Sequence, residues 1–137
     1  MPDKTILVVG TYDTKDDELS YLAGRIRALD GGVMTMDVSV LGDPPEPTDV
    51  SKHKVAEAAG SSIQKAIDSG DENTAMQIMA AGAAELTKSL HRDGKIDGLI
   101  ALGGTMGTDL ALDCARALPV GVPKFIVSTV SFSPLIP

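Results

Sequence analysis

The chain has 137 residues, of which 43% are hydrophobic, 3% aromatic and 23% charged, and its formal net charge is −7. This length predicts a single domain over residues 1–137 with its own apolar core. The excess of acids excludes nucleic acid and membrane surfaces as partners, because both need clustered Lys and Arg, but it leaves room for one nucleotide bound by backbone N–H groups.

The first predicted element is a strand, because residues 5–9 (TILVV) form a short apolar run that ends at Gly10. An apolar filling of both faces is typical of a parallel sheet. Residues 11–15 predict a turn. A helix follows, with acids at positions 16–18 in its first turn, where the helix dipole favours them, and two glycines at its end.

The second predicted strand, residues 33–41, alternates Thr35, Asp37 and Ser39 with apolar side chains. This mixed pattern favours a position at the outside of the sheet. The prolines of residues 43–49 (DPPEPTD) predict a stiff loop.

Three helices are predicted after this loop. Ser51 would cap the first, and Ser61 or Ser62 would cap the second. The third is longer and covers residues 72–92, with a stop at Gly94.

Two further strands, residues 98–102 (GLIAL) and 124–129 (KFIVST), are joined by a glycine-rich turn, 103–108 (GGTMGT), and a helix. Strands that alternate with helices predict right-handed crossovers and a parallel sheet covered on both faces. Because the first, third and fourth strands are more apolar than the second, we predict an α/β, Rossmann-like three-layer αβα fold with strand order 2-1-3-4.

In this order the sheet reverses direction between strands 1 and 3, and ligands bind at such a switch point, beyond the carboxyl ends of the strands. The loops after these two strands are rich in glycines and polar residues. With the polar ends of strands 2 and 4, they give the candidate cofactor-binding set: Gly10, Thr11, Asp13, Thr14, Lys15, Asp37, Gly103, Gly104, Thr105, Gly107, Thr108, Ser128 and Thr129.

The turn after strand 3 is the predicted phosphate site. Glycines let the backbone approach an anion, the following helix adds its positive N-terminus, and Thr105 and Thr108 can donate hydroxyl groups. The spacing is G-G-x-x-G, so the turn is neither a P-loop nor a G-x-G-x-x-G fingerprint. The alternative interpretation is a tight turn from strand to helix that binds nothing.

The loop after strand 1 is predicted to act through its side chains, because the acids that follow would repel a pyrophosphate. Lys15 would contact a phosphate, and Thr11 and Thr14 would donate hydrogen bonds. Asp13 would bind a metal ion or a ribose. In the alternative interpretation, Asp13 or Thr14 caps the helix, which is compatible with a ligand-binding role for the other residues.

Asp37 stands where an acidic residue holds the ribose in dinucleotide-binding folds, but it equally fits a solvated residue of an outer strand. His53 and His91 lack metal-ligand spacing with each other and with Cys114, so no metal site is predicted. We interpret His53 as a surface residue and Cys114 as part of the core. No catalytic residue is identified.

Cys114 is the only cysteine, so no internal disulfide can form, and a reducing compartment, the cytoplasm, is predicted. The sequence starts without the features of a signal peptide and has no apolar run of ~18 residues. The apolar, proline-marked end (SPLIP) favours a piece of a longer polypeptide over a natural short end.

Several motifs, in order and over nearly the whole chain, resemble one known family: VVGTYDTKDDEL, MDVSVLGDP, VAEAAG, GLIALGGTMGT and KFIVSTV. It is the ATP-binding family that includes the tomato mosaic virus resistance protein and many bacterial proteins. The resemblance implies that this chain is the N-terminal, ATP-binding domain of a two-domain protein. It implies no particular reaction.

The leading functional hypothesis is therefore a domain that binds ATP, with or without magnesium, or another nucleotide. The alternatives are an NAD(P)-binding oxidoreductase domain, which Asp37 favours, and a non-catalytic interaction module. We also predict self-association. The apolar residues 130–137 and the alanine-rich stretch 80–84 would leave surface for a second copy or for the missing C-terminal domain to cover.

Overall fold

A computed structural model describes residues 3–130, apart from the side chains of Thr105 and Met106. The sequence predicts the order of the elements correctly. They are β1 (Thr5–Gly10), α1 (Asp16–Ala28), β2 (Gly32–Asp37), α2 (Lys52–Ala58), α3 (Ile63–Asp68), α4 (Glu72–Arg92), β3 (Gly98–Gly103), α5 (Thr105–Arg116) and β4 (Lys124–Ser128).

The strands form a four-stranded sheet in the order β2-β1-β3-β4, and every neighbouring pair is parallel. The predicted α/β fold and strand order are therefore confirmed. β1 lies at the centre because it is buried along its length, whereas β2 is only partly buried over Gly32–Thr35. The direction of the sheet reverses between β1 and β3, as the sequence predicts.

The two faces of the sheet are covered unequally. Leu7, Val9 and Leu99 point to the face that packs against α2, α4 and α5, and they belong to the larger apolar cluster. Val8 points to the opposite face, where α1 packs against β1 and β2. Beyond α1, Phe125 and Val127 on β4 remain 64% and 45% exposed.

Three of the helices begin as the sequence predicts. Ser51, Ser62 and Asp71 cap α2, α3 and α4, and each side chain accepts a hydrogen bond from the first turn of its helix. These bonds hold the pKa of the Asp71 carboxyl below its ordinary value. The prediction that Asp13 or Thr14 caps α1 is wrong, since the capping position is Lys15 and no side chain bonds there.

β2 is shorter than predicted and ends at Asp37. The chain returns beside its outer edge, where the Asp37 N–H donates to the Val50 carbonyl at 3.0 Å. Asp49 fixes this return, because one of its carboxylate oxygens accepts from both the backbone N–H and the hydroxyl of Thr35. Residues 38–41 are released from the sheet and extend over its carboxyl edge.

Helices α2 and α4 pack unusually closely at Gly82. A Cβ atom added to Gly82 would lie 1.8 Å from the Val55 carbonyl oxygen. The predicted surface at residues 80–84 is consequently wrong, because Ala80 and Ala83 are 8% and 0% exposed. Small side chains serve here to bring the helices together. The other predicted surface, residues 130–137, lies outside the described residues from position 131 onward.

Between residues 3 and 130, no helix combines the length and the apolar character needed to cross a bilayer.

Candidate functional site

The predicted site residues meet at the carboxyl edge of the sheet. Gly10, the last residue of β1, pairs with Asp37, the last residue of β2. Gly103 ends β3 beside Ser128, the last residue of β4. Because β1 lies between β2 and β3, the loops that leave β1 and β3 are neighbours, and about 10 Å separates the ends of β2 and β3.

The turn after β3 is tight at one glycine and open at the next. A Cβ atom on Gly103 would lie 2.4 Å from the Gly107 carbonyl carbon, so the chain folds back directly onto this residue. Gly104 is the capping residue of α5, and its nearest neighbour to an added Cβ is the Thr129 hydroxyl at 3.8 Å. No side chain caps α5. The open side of Gly104 therefore leaves room at the N-terminus of a 12-residue helix.

Hydroxyl groups brace this turn. The side-chain oxygens of Thr108 and Ser128 are 2.7 Å apart, and the Thr108 hydroxyl also bonds to the Gly104 carbonyl at 2.6 Å. The Ser128 hydroxyl accepts the N–H of Val130 at 3.0 Å. These hydroxyls tie β4 to the start of α5. The Thr105 side chain, a predicted donor, lies outside the described residues.

The loop after β1 is ordered by its own hydrogen bonds. The Thr11 and Thr14 hydroxyls are 3.0 Å apart, and the Thr11 carbonyl accepts the N–H of Lys15 at 2.9 Å. Tyr12 points the other way and is buried on the α1 face, where its hydroxyl donates to the Val8 carbonyl. Burial and the nearby Asp37 carboxylate raise the pKa of Tyr12 well above its ordinary value. Sequence reasoning missed this anchoring role.

Asp37 connects the loops after β1 and β2. Its side chain is buried, with 1% exposure, and its Oδ1 atom accepts the N–H groups of Tyr12 at 3.2 Å and Ser39 at 2.9 Å. This oxygen is thus occupied by backbone donors, in contrast to a solvated residue on an outer strand.

Asp13 makes a second connection between the same loops. Its Oδ2 atom accepts the N–H of Gly42 at 3.2 Å. Its Oδ1 atom is buried, and no hydrogen-bond partner for it exists among the described residues. A buried acceptor without a partner is uncommon and requires an explanation.

A cleft of about 500 Å³ opens beside Asp13. Its walls come from residues 38–41 beyond β2, from α3 and from the first turns of α4. The cleft is predominantly apolar, with Val40, Ile67 and Met76 among its lining residues. Sequence reasoning missed it because it depends on where α3 and α4 pack. The glycine turn after β3 is not part of its lining.

Lys52 is a further residue that the sequence did not single out. Its side chain is 8% exposed, and its ammonium group donates to the Gly42 carbonyl at 2.6 Å and pairs with Asp43 at 2.8 Å. The hydrogen bond from Lys52 holds the pKa of Asp43 below its ordinary value. Lys52 therefore fixes the loop that carries Gly42 against Asp13.

The histidines and the cysteine lie apart from this edge. His53 is exposed on α2, as predicted, and His91 is in the last turn of α4. Cys114 is buried in the core, also as predicted, and burial raises the pKa of its thiol to about 11, which keeps it protonated at neutral pH. Within residues 3–130, no group of three His, Cys, Asp or Glu side chains is placed to hold a metal ion.

Comparison with known proteins identifies the family. Residues 4–136 match the model of the N-terminal domain of the uncharacterised protein family UPF0261. The chain belongs to this family. The resemblance inferred from the sequence motifs is confirmed at this level, because the tomato protein also proves to be a distant UPF0261 relative.

The relatives are longer than this chain. The UPF0261 protein of Brucella suis is 57% identical over 132 residues, which are 96% of this chain and 32% of that protein. The UPF0261 protein of Clostridium tetani is 37% identical over 94% of this chain and 32% of its own length. The ToMV resistance protein Tm-1 of Solanum lycopersicum is 27% identical over 92% of this chain and 19% of its own length. This chain thus spans about a third of the bacterial UPF0261 relatives.

Proposed function

We propose that this UPF0261 domain binds a nucleotide, with ATP as the leading ligand, at the carboxyl edge of the sheet between β1 and β3. The observation that carries the proposal is the open position at Gly104, at the uncapped N-terminus of α5 and beside the switch in strand direction. Helix N-termini favour anions through their N–H groups and dipole. The phosphates would contact this turn, with Lys15 as the nearby cation of the β1 loop.

A magnesium ion would depend on the nucleotide in this proposal. The described residues offer no cluster of three acidic or histidine ligands, so the phosphates would have to supply most of the ligands of the ion. We therefore expect magnesium to modulate nucleotide binding and not to bind by itself.

The NAD(P) alternative loses its main support in the structure. It depended on Asp37 as a ribose ligand, but Asp37 Oδ1 already accepts two backbone N–H groups. The sequence also lacks the G-x-G-x-x-G fingerprint of dinucleotide-binding turns.

Titration calorimetry with ATP, ADP and NAD in turn tests the proposal. We expect ATP and ADP to bind, each with and without magnesium, and NAD to bind much more weakly. Equal affinity for NAD and ATP would favour the dinucleotide alternative. The absence of binding for all three ligands would contradict the nucleotide proposal and favour an interaction module.

The exposed apolar surface of β4, formed by Phe125 and Val127, supports a second proposal about the longer protein. The bacterial relatives extend over about three times the length matched here, and isolated domains rarely leave such side chains exposed together. We propose that the remainder of the full-length protein covers this surface, as part of a two-domain arrangement.

The isolated chain is then expected to self-associate through the same surface. Replacing Phe125 by lysine places a charge in the patch and should shift the chain towards the monomer. Val120→Lys is the matched control, because Val120 is fully exposed in the turn before β4. Light scattering over a concentration series measures the effect. A parent chain that stays monomeric at high concentration would contradict this expectation.

A further inference from the structure

The cleft beside Asp13 is not explained by a phosphate site alone. It has a volume of about 500 Å³, which is within the usual range for small-molecule sites. It also has their usual composition, with an apolar lining and a few polar groups. Thr11 lines the cleft and follows β1 directly, so the cleft and the glycine turn begin on neighbouring strands.

The charges of the lining residues limit what can bind. Asp13, Asp71 and Glu72 contribute to the walls, and none of the described lining residues is Lys or Arg. Acidic walls without a cation oppose the entry of phosphate groups. The cleft therefore suits the uncharged part of a ligand, whose charged part would lie outside it.

Asp13 defines the polar contact in this cleft. Gly42 holds one end of the carboxylate, through its N–H at 3.2 Å and through a backbone so close that an added Cβ would lie 2.9 Å from the Asp13 Cβ. The other oxygen, Oδ1, is buried and has no partner among the described residues. An ionised carboxylate only accepts hydrogen bonds, so the missing partner is a donor.

A metal ion does not fit this position well. Asp71 is already engaged, since its carboxylate oxygens accept the N–H groups of Asn73 and Thr74 at the start of α4. The described residues provide no set of three potential metal ligands. A neutral hydroxyl or amino group is the better partner for Oδ1.

We propose that the cleft binds the nucleoside half of the nucleotide, with the base against the apolar walls and a ribose hydroxyl donating to Asp13 Oδ1. The inference rests on the proposed function and adds a specificity to it: the domain distinguishes ribose from deoxyribose. The phosphates extend from the cleft towards the turn after β3, over a distance set by the spacing of β2, β1 and β3.

Calorimetry with ADP and with its 2′-deoxy and 3′-deoxy analogues tests this inference on the whole chain. We expect one of the two analogues to bind the parent about tenfold more weakly than ADP, because a hydrogen bond to a charged group is lost. In Asp13→Asn, the single amide oxygen is expected to face Gly42, and the amide group facing the cleft becomes a donor. ADP affinity should fall to that of the weaker analogue, and the preference should disappear.

Asp17→Asn is the matched control, because it makes the same change of charge on an exposed residue of α1. It should retain the full preference for ribose. Ile67→Trp serves as a second variant that does not depend on Asp13. Ile67 is 40% exposed on α3 and lines the cleft, so a larger side chain should close the cleft without burial in the core.

The outcomes separate this inference from the proposed function. If the parent binds ADP but neither analogue is weaker, or if Asp13→Asn keeps the preference, the ribose contact is wrong while nucleotide binding stands. If Ile67→Trp binds ADP like the parent, the nucleoside does not occupy the cleft. If the parent binds no nucleotide, the proposed function fails first.

Discussion

Replacing Gly82 by alanine is expected to destabilise the domain by about 3 kcal/mol, at the upper end of the usual cost of overpacking. The added Cβ would lie 1.8 Å from the Val55 carbonyl oxygen, a backbone atom of α2 that cannot rotate away. Helices α2 and α4 would have to separate, and the buried side chains between them, including Val55 and Met79, would lose contacts. Urea denaturation followed by circular dichroism measures the change in the free energy of unfolding.

Gly24→Ala is the control for the change at Gly82. Gly24 lies in α1, and an added Cβ meets no atom within 4 Å. There the substitution should stabilise the domain by up to about 1 kcal/mol, because alanine favours the helix more than glycine does. If both variants were equally stable, the close packing of α2 on α4 would be refuted.

Replacing Gly104 by valine is expected to weaken ATP binding by about 100-fold, equivalent to the loss of two charge-assisted hydrogen bonds. Branched methyl groups at this position would stand between the phosphates and the N-terminal N–H groups of α5. The protein should remain folded, because an added Cβ approaches only the Thr129 hydroxyl, at 3.8 Å. Calorimetry with ATP measures the affinity, and a thermal melt checks the fold.

The neighbouring glycine cannot serve for this experiment. At Gly103 an added Cβ would lie 2.4 Å from the Gly107 backbone, so any loss of binding would be confused with distortion of the turn. Gly24→Ala should bind ATP like the parent and controls for handling of the variants. If Gly104→Val is folded and retains the affinity of the parent, the phosphates bind elsewhere.

Much of the fold follows from local patterns in the sequence. β1 and β3 are continuous apolar runs, and α4 has a capping residue, Asp71, at one end and Gly94 just after the other. The end of β2 could not be predicted in this way. It depends on Val50 returning to the edge of the sheet and on Asp49 binding Thr35, and both contacts join residues that are distant in the chain.

The candidate site shows the same division. Strand order alone places the loops after β1 and β3 side by side, so the residues at the carboxyl edge could be predicted. The cleft requires the packing of α3 and α4 against residues 38–41, which no pattern of residues reveals. Asp13 was predicted as a ligand-binding residue from its position, but its buried, unpartnered oxygen becomes visible only in three dimensions.

The central position of β1 also determines when the domain can fold. β1 pairs with β3 as well as β2, and the Thr5 N–H donates to Asp97, which is 92 residues further along the chain. Closing so long a loop carries an entropic cost before the contacts form, and parallel pairings of this kind fold slowly. During synthesis, α2 and α4 can therefore pair early, but β1 keeps one edge unpaired until β3 has left the ribosome. The nascent chain then depends on its completion, or on a chaperone, to protect its most apolar strand from other chains.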